Sequence, residues 1–285
     1  MPLDHEALAK WQIADATQTY TERDAILYAL GLGLGSDPVD PQQLAFVYEK
    51  NLKALPTLGL VVGTPGGWFL DPRIGIDFTR LVNAGVGARF HAPMPTSGEV
   101  VGRSRVVALA DKGKERGALL VSRRDLYDGR TNAHLCEITS NYLLRGNGGF
   151  GGPDVDTPPP HAIPDDPPDE TFDYPTPRQL GLIYRLSGDT NPLHADPAVA
   201  KSAGFPAPIL HGLATFGITA WVILSRLCGA EPPRLKALEG RFSAPFLPGE
   251  TLQIDIWQRG NELSLRALSR ERKVVVLNNA RAEIA

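Results

Sequence analysis

The sequence predicts an α+β protein made of two similar halves, in which antiparallel strands surround a buried helix. Three observations indicate this architecture: an internal repeat, a segment rich in Gly, Pro and Asp between the repeats, and apolar residues at helical spacing followed by alternating segments. The repeat indicates a duplicated unit. A helix followed by successive strands is typical of an α+β domain whose sheet curls around the helix.

The repeat consists of three pairs of similar segments that occur in the same order in both halves. The pairs are "ARFHAPMPTSGEVV" from Ala88 with "GRFSAPFLPGETLQ" from Gly240, "TERDAILYALGLG" (21–33) with "TPRQLGLIYRLSG" (176–188), and the weaker "LPTLGLVVG" (55–63) with "ILHGLATFG" (209–217). In the second pair, Tyr28 corresponds to Tyr184. One such pair can arise by chance, but three at a similar offset indicate duplication.

The segment between the repeats, "GNGGFGGPDVDTPPPHAIPDDPPDE", has no periodic apolar face. Its composition is typical of a connector, although a long surface loop within one domain is the alternative. We therefore divide the chain into an N-terminal repeat at 1–145, a connector at 146–172 and a C-terminal repeat at 173–285.

The C-terminal repeat contains the clearest helix. Apolar residues recur at helical spacing in "ILHGLATFGITAWVILSRLCG", after Pro208, and Gly229 suits the end of the helix. The segments that follow, "RFSAPFLPGETLQIDIWQRG", "ELSLRALSR" and "KVVVLNNARAEIA", alternate as antiparallel strands do. The N-terminal repeat has matching strand segments in "EVVGRSRVVALADKG", "RGALLVSRRDLYD" and "TNAHLCEITSNYLL".

The equivalent helix of the N-terminal repeat is expected to be displaced or broken. In "LPTLGLVVGTPGG", Gly59, Gly63, Pro65 and the pair Gly66 and Gly67 leave no room for a helix of similar length. A missing helix would leave apolar sheet surface uncovered, and that surface could hold an acyl chain.

Composition excludes several classes of function. The formal charge of −3 argues against nucleic-acid binding, and no apolar run approaches the roughly 20 residues of a membrane span. The start of the chain has no apolar region for export. The two cysteines, Cys136 and Cys228, lie in apolar surroundings and are expected to be buried thiols, which favours a reducing compartment and a cytoplasmic location.

The loop "YRLSGDTNPLHADP" (184–197) is the main candidate for chemistry. Turn formation explains much of it, and Asp196 before Pro197 suits a helix N-cap. A lone loop histidine is usually only solvated. However, Asp189 and His194 are close enough for one loop to present both as a proton-transferring pair, and Asn191 can orient either of them.

Gly212, at the predicted start of the long helix, is a candidate oxyanion donor. The first amides of a helix have no internal partner and lie at its positive end, although close packing also explains a glycine there. The sequence has no nucleophile elbow, no metal-ligand spacing and no GxGxxG after a strand, and "GLGLGS" (31–36) follows a helical pattern. Acid/base groups with an oxyanion donor, and without metal or cofactor, fit proton chemistry beside a carbonyl, such as addition of water to an enoyl thioester.

The segment "YRLSGDTNPLHADPAVAKSAGFPAPILHGLATFG" closely resembles the signature of the MaoC-like, R-specific enoyl-CoA hydratases, or hydratase 2. "YALGLG", "FVYEKNLKALPTLGLVVG" and "GNGGFGG" are similar to the first half of the two-repeat members. The resemblance implies a double hot-dog fold, in which each half is an antiparallel sheet curled around a central helix. It also implies a homodimer, an acyl-CoA substrate and hydration to (3R)-3-hydroxyacyl-CoA.

The resemblance assigns residues as well. The catalytic pair falls on Asp189 and His194, with Asn191 in the same loop, the Gly212 amide as oxyanion donor, Tyr28 and Glu49 near the site, and Lys112 and Phe242 at the CoA portion. One departure concerns Asn83 and Ala84, which stand where relatives have a His-Gly-Glu stretch that contacts the thioester. The N-terminal repeat lacks the catalytic loop, so only the C-terminal repeat is expected to be catalytic.

Other activities remain open at the level of the sequence. The enzyme could be a dehydratase for acyl carrier protein, or for branched or dicarboxylic CoA esters. A hot-dog thioesterase is an alternative that would release free CoA thiol. A non-catalytic acyl-CoA binding protein is disfavoured because Asp189 and His194 are both present.

Overall fold

The computed structural model describes residues 3–152 and 159–285, so part of the predicted connector lies outside the described residues. Within them, the strands form one antiparallel sheet in the order β1-β3-β4-β5-β2-β7-β10-β9-β8-β6. The strands are β1 (Ala16–Tyr20), β2 (Leu81–Phe90), β3 (Gly98–Asp111), β4 (Ala118–Asp128), β5 (His134–Leu144), β6 (Glu170–Pro175), β7 (Leu235–Phe242), β8 (Thr251–Arg259), β9 (Glu262–Ser269) and β10 (Val274–Ile284).

The sheet consists of two five-stranded halves with equivalent strand order. Strands β1, β3, β4, β5 and β2 form the first half, and β6, β8, β9, β10 and β7 repeat that order in the second. The halves join where β2 pairs with β7, with Val86 opposite Gly240 and Ala88 opposite Leu238. Each of these two strands ends at the Arg-Phe of a repeated Arg-Phe-x-Ala-Pro segment, so the internal repeat is visible as a repeated topology.

The six described helices are α1 (His5–Ala9), α2 (Glu22–Gly31), α3 (Pro41–Val47), α4 (Leu180–Tyr184), α5 (Pro197–Ser202) and α6 (Gly212–Leu227). Helix α6 has 16 residues, and eleven consecutive ones, from Ala214 to Leu224, are buried. It ends before Gly229, whose φ of +61° is a left-handed conformation that favours glycine. The long buried helix predicted for the C-terminal repeat is confirmed.

The first half has no counterpart of α6 in the described chain. The corresponding segment forms a 3₁₀ helix of five residues, Pro56–Leu60, as the glycines and proline after it predicted. Buried Arg124 of β4 holds this segment, since its guanidinium donates to the carbonyls of Gly59 (3.1 Å), Leu60 (2.7 Å) and Val62. Within residues 3–152 and 159–285, the central helix that the double hot-dog fold implies for each half is thus present in the second half and not in the first.

Strand β6 begins at Glu170, inside the interval 146–172 that the sequence analysis assigns to the connector. The described end of the connector crosses the outer face of the sheet, opposite α6. There His161 Nε2 lies 2.7 Å from Ser264 Oγ, and the Asn279 amide donates to the His161 carbonyl at 2.8 Å. The connector is therefore tied to strands β9 and β10 of the second half.

Both cysteines are free and buried, as predicted. Burial raises the pKa of the Cys136 thiol to about 12, so this thiol stays protonated and unreactive. None of the described helices is long and apolar enough to cross a membrane.

Candidate active site

The loop after α4 is shaped by its turn residues. A 3₁₀ turn (Arg185–Ser187) ends at Gly188, whose φ of +113° is accessible to glycine and turns the chain toward Asp189. The side chain of Asn191 then caps the next 3₁₀ turn (Pro192–His194) by accepting from Leu193 N–H at 3.0 Å. Asp196 caps α5 in the same way, which confirms its predicted structural role.

Asp189 and His194 face each other across the loop. The Asp189 Oδ2 to His194 Nε2 distance is 4.0 Å, and the side chains are 52% and 10% exposed, respectively. The other carboxylate oxygen of Asp189 accepts from the Asn191 backbone N–H at 3.1 Å. Asn191 therefore supports both members of the pair, Asp189 through its backbone and the turn of His194 through its side chain.

The imidazole of His194 has a defined tautomer. Its Nδ1 lies 2.8 Å from the carbonyl of Ile209. A carbonyl only accepts hydrogen bonds, so Nδ1 must carry the proton and donate it. In the neutral ring, Nε2 therefore presents its lone pair toward Asp189, as a general base requires.

His211 is a member of the site that the sequence argument did not single out. Its ring stacks on that of His194 with centroids 3.7 Å apart, and its Nε2 donates to the Asp189 backbone carbonyl at 3.1 Å. Burial, with the nearby His194, lowers the pKa of His211 to about 4, so His211 is neutral at physiological pH. It thus supports both loop residues without adding charge. In the sequence, the position of His211 directly before Gly212 is the feature that could have identified it as a site residue.

The start of α6 presents free amides beside this pair. The first amides that bond within the helix are those of Ala214 and Thr215, which both donate to the His211 carbonyl. The N–H groups of Gly212 and Leu213 therefore have no partner inside the helix. The ring of Phe242 covers Gly212, since a Cβ there would lie 3.1 Å from the nearest ring atom. The structure thus brings Phe242 to the predicted oxyanion donor.

Tyr28 reaches the site through a row of aromatic rings. Its ring centroid is 5.9 Å from that of Tyr184, which in turn lies 4.9 Å from His211. Tyr28 is 1% exposed, and its burial raises the pKa of its hydroxyl well above the ordinary value. Tyr28 therefore supports the site from the core of the first half and does not line an open surface.

A cavity of about 200 Å³ lies between the 3₁₀ segment of the first half and the inner face of its sheet, with Leu213, the residue after Gly212, in its lining; we call it the acyl cavity after the acyl chain that the sequence analysis expects there. It is lined by Leu60, Thr64, Pro65, Gly66, Trp68, Phe69, Asn83, Val86, Ser104, Ser122, Arg124, Ile138, Ser140, Tyr142 and Leu213. The uncovered sheet surface expected from the sequence is therefore present, but part of it is polar. A larger cavity of about 600 Å³ lies on the outer face of the sheet, away from Asp189 and His194.

The remaining predicted residues lie in different places. Asn83 lines the acyl cavity, whereas Ala84 faces the outer cavity, because the strand is irregular between Asn83 and Gly85. Glu49 is exposed, in the turn after α3. Lys112 lies in the hairpin between β3 and β4, where its N–H donates to the Gly117 carbonyl at 2.9 Å.

The site also groups three potential metal ligands, although the spacing in the sequence predicted none. One ligand atom from each of Asp189, His194 and His211 lies within 4.8 Å of the others. Folding brings His211 to the loop from 17 positions after His194, at the start of a different helix. The same atoms are suited to proton transfer, because one carboxylate oxygen and His194 Nε2 face each other directly.

Two family models match the chain, one for each half. The MFE-2 hydratase 2 N-terminal domain matches residues 18–146, and the MaoC like domain matches residues 161–280. The enoyl-CoA hydratase ChsH3 of Mycobacterium tuberculosis is 35% identical over 284 residues, which cover 97% of each chain. Mouse peroxisomal multifunctional enzyme type 2 is 34% identical over 94% of this chain, which spans only 37% of that longer protein.

Solved structures show the same fold. A MaoC-like dehydratase from Phytophthora capsici superposes with a TM-score of 0.88 at 29% identity and covers 99% of both chains. A Mycobacterium tuberculosis protein described as a double hotdog fold superposes with a TM-score of 0.54 at 16% identity, covering 96% of this chain and 94% of that one. This double hot-dog chain therefore belongs to the family of two-repeat, MaoC-like hydratase 2 proteins.

Proposed function

We propose that the protein is a 2-enoyl-CoA hydratase that forms (3R)-3-hydroxyacyl-CoA and catalyses the reverse dehydration. The observation that carries the proposal is the pair Asp189 and His194, which face each other at 4.0 Å beside the free amide of Gly212. The names of the relatives, among them enoyl-CoA hydratase 2 and 3-hydroxyacyl-thioester dehydratase, support the same reaction.

The separation of the pair suits a water molecule. At 4.0 Å the carboxylate and the imidazole do not hydrogen bond directly, but one water can contact Asp189 Oδ2 and His194 Nε2 together. Because His194 Nδ1–H is held by the Ile209 carbonyl, Nε2 is free to accept a proton from that water. The pair thus orients and deprotonates the nucleophile.

The rest of the reaction follows from this arrangement. The water oxygen bonds to the β-carbon, the electrons of the double bond move toward the thioester carbonyl, and the Gly212 N–H stabilises the negative oxygen. The proton taken by the pair is then delivered to the α-carbon, so that the elements of water add across the double bond. Glycine lets the carbonyl approach the backbone, and Phe242 packs over that position.

The N-terminal repeat has a binding role in this proposal. The acyl cavity, with Asn83 on its wall, receives the acyl chain, while Lys112 and Phe242 contact the CoA portion and Glu49 and Tyr28 belong to the surroundings of the site. The position of Leu213, between the Gly212 amide and the cavity wall, supports this assignment. Ala84 has no contact role in the acyl cavity, since it faces the outer side of the sheet.

We also propose that the protein is a homodimer in the cytoplasm. The resemblance to the family supports the dimer, and the two buried thiols support a reducing compartment. Light scattering of the purified protein should give twice the chain mass of 30.8 kDa, and a mass of one chain would contradict the dimer. Microscopy of a tagged protein should give diffuse cytoplasmic signal, and an organellar signal would contradict the location.

The reaction is tested with crotonyl-CoA and the pure protein. Enoyl-CoA should be consumed without release of free CoA thiol, and the product should be oxidised by a 3R-specific dehydrogenase. Oxidation only by a 3S-specific enzyme would exclude the proposed stereochemistry. Stoichiometric release of thiol would instead identify a thioesterase.

A further inference from the structure

The acyl cavity has two unlike walls. The wall formed by the 3₁₀ segment and the loop after it is apolar and aromatic, with Leu60, Pro65, Trp68 and Phe69. The wall formed by the sheet is mostly polar instead: Val86 and Ile138 are apolar, and the other sheet residues are Asn83, Ser104, Ser122, Arg124, Ser140 and Tyr142. A cavity for a plain alkyl chain is expected to be apolar on every side, because polar groups facing an alkyl chain lose their water.

The serines lie side by side on neighbouring strands. Ser122 of β4 is the direct partner of Ser140 on β5, and Ser104 on β3 is opposite Arg124. The Oγ of Ser104 is buried and has no hydrogen-bond partner among the described residues. Buried hydroxyls are rarely left unpaired, so this atom indicates a missing polar partner in the cavity.

Arg124 adds a buried positive charge to the same wall. Its guanidinium donates to three backbone carbonyls, but no carboxylate of residues 3–152 or 159–285 pairs with it. Buried cations in proteins are usually paired with anions. The charge therefore makes the cavity favourable for an electronegative oxygen of a bound ligand.

The cavity borders segments that lie next to the reacting centre. Leu213, which lines it, directly follows the oxyanion glycine Gly212. On the other side, the carbonyl of Val61 lies 3.9 Å from the position of a Cβ on Gly188, the residue before Asp189. The segment held by Arg124 thus borders both the cavity and the catalytic loop, so an acyl chain can extend from the site toward the serines.

We propose that the preferred acyl group carries an oxygen substituent, a hydroxyl or a carboxylate, on the chain beyond the double bond. This inference rests on the proposed hydratase function and specifies its substrate class. The oxygen substituent lies beside Ser104, Ser122 and Ser140. The positive charge of Arg124 on the same wall attracts it. The apolar wall contacts the methylene groups of the same chain.

The experiment compares kcat/KM for matched trans-2-enoyl-CoA substrates of six, eight and ten carbons. Each length is offered with a methyl, a hydroxyl or a carboxylate at its end, and crotonyl-CoA serves as the short reference. For at least one length, an oxygenated substrate should exceed its alkyl counterpart by about tenfold or more, as expected for one or two buried hydrogen bonds. Preference for the hydroxyl or for the carboxylate supports the proposal, because the serine hydroxyls can donate to either group and the charge of Arg124 only strengthens the interaction with a carboxylate.

Matched variants locate the effect. The double variant Ser104→Ala with Ser140→Ala should lose most of the preference for the oxygenated substrate. The control is Thr139→Val, adjacent to Ser140 on β5 but facing the outer cavity, and it should keep the preference. These small changes avoid Arg124, whose removal would release the segment that it holds.

Two outcomes would overturn the inference. In the first, alkyl substrates have a kcat/KM equal to or above that of the oxygenated substrates at every length, so that water and not a substrate group occupies the polar wall. In the second, the preference for an oxygenated substrate survives the double variant, so that the preference arises elsewhere in the protein. In both cases hydration of crotonyl-CoA by the wild-type protein would leave the proposed function standing. Absence of crotonyl-CoA hydration would refute the proposed function and this inference together.

Discussion

The two halves of the protein have the same strand order but differ in what lies against the sheet. In the second half a buried helix of 16 residues packs against the sheet, and His211, just before its first residue, stacks on His194 of the catalytic loop. In the first half a 3₁₀ helix of five residues stands in that place, with Arg124 holding it and a cavity beside it. With the long helix replaced by this short segment, the sheet keeps its strand order and a cavity takes the place of part of the core.

The largest expected effect is at the catalytic loop. Asp189→Asn and His194→Ala should each lower kcat for crotonyl-CoA by about 10²–10⁴-fold, because each removes a group that transfers protons. The double variant should be hardly worse than the more damaged single variant, since the two residues act as a unit. Circular dichroism controls for folding, and a loss below about tenfold in either single variant would contradict the assignment.

The next effect concerns the oxyanion donor. Gly212→Pro removes the amide while fitting the first position of a helix, and we expect kcat to fall by about 10²–10³-fold. Gly212→Ala is the matched control, because it keeps the amide but adds a methyl group against Phe242. Alanine should therefore cost less than proline. Equal losses in the two variants would show that packing against Phe242, and not the amide, is what matters at this position.

A smaller effect is expected on stability. The folded-state pKa of His211 is about 4, below the usual 6.5, so the unfolded state binds a proton first as the pH falls. The free energy of unfolding should therefore decrease between about pH 6.5 and pH 4, by up to about 3 kcal/mol from this residue. In His211→Gln, urea unfolding across this range should show a shallower decrease. An identical pH dependence in both proteins would mean that His211 is not buried in its neutral form.

Much of the difference between the two halves could be predicted from the sequence. The long helix, the strands that follow it and the break near Gly63 and Pro65 could be predicted, because periodicity and helix-breaking residues act locally. The pairing of Asp189 with His194 could be predicted because a single loop holds both. In each case the information lies within one short stretch of chain.

Other features depend on contacts between distant segments. His211 joins the site by stacking on a loop that precedes it, and Arg124 reaches carbonyls more than 60 positions earlier in the chain. The polar wall of the acyl cavity is spread over β2, β3, β4 and β5, with an ordinary serine on three of these strands. No local pattern predicts such a set, because only the register of the strands brings it together.

The central claim is that the second half performs the chemistry and the first half selects the acyl chain. The most direct measurement is the ratio of kcat/KM for decenoyl-CoA to that for crotonyl-CoA in wild type, Leu60→Trp and Asp189→Asn. Leu60 is 4% exposed and lines the acyl cavity, so a larger side chain there should obstruct a long acyl chain, and the rate with crotonyl-CoA shows whether the neighbouring catalytic loop is disturbed.

We predict that Leu60→Trp lowers this ratio by about tenfold or more, as several obstructed methylene contacts would. Asp189→Asn should lower kcat/KM for both substrates and leave their ratio close to that of wild type. Equal losses on both substrates in Leu60→Trp would contradict the claim, because the first half would then support the active site without forming the acyl pocket.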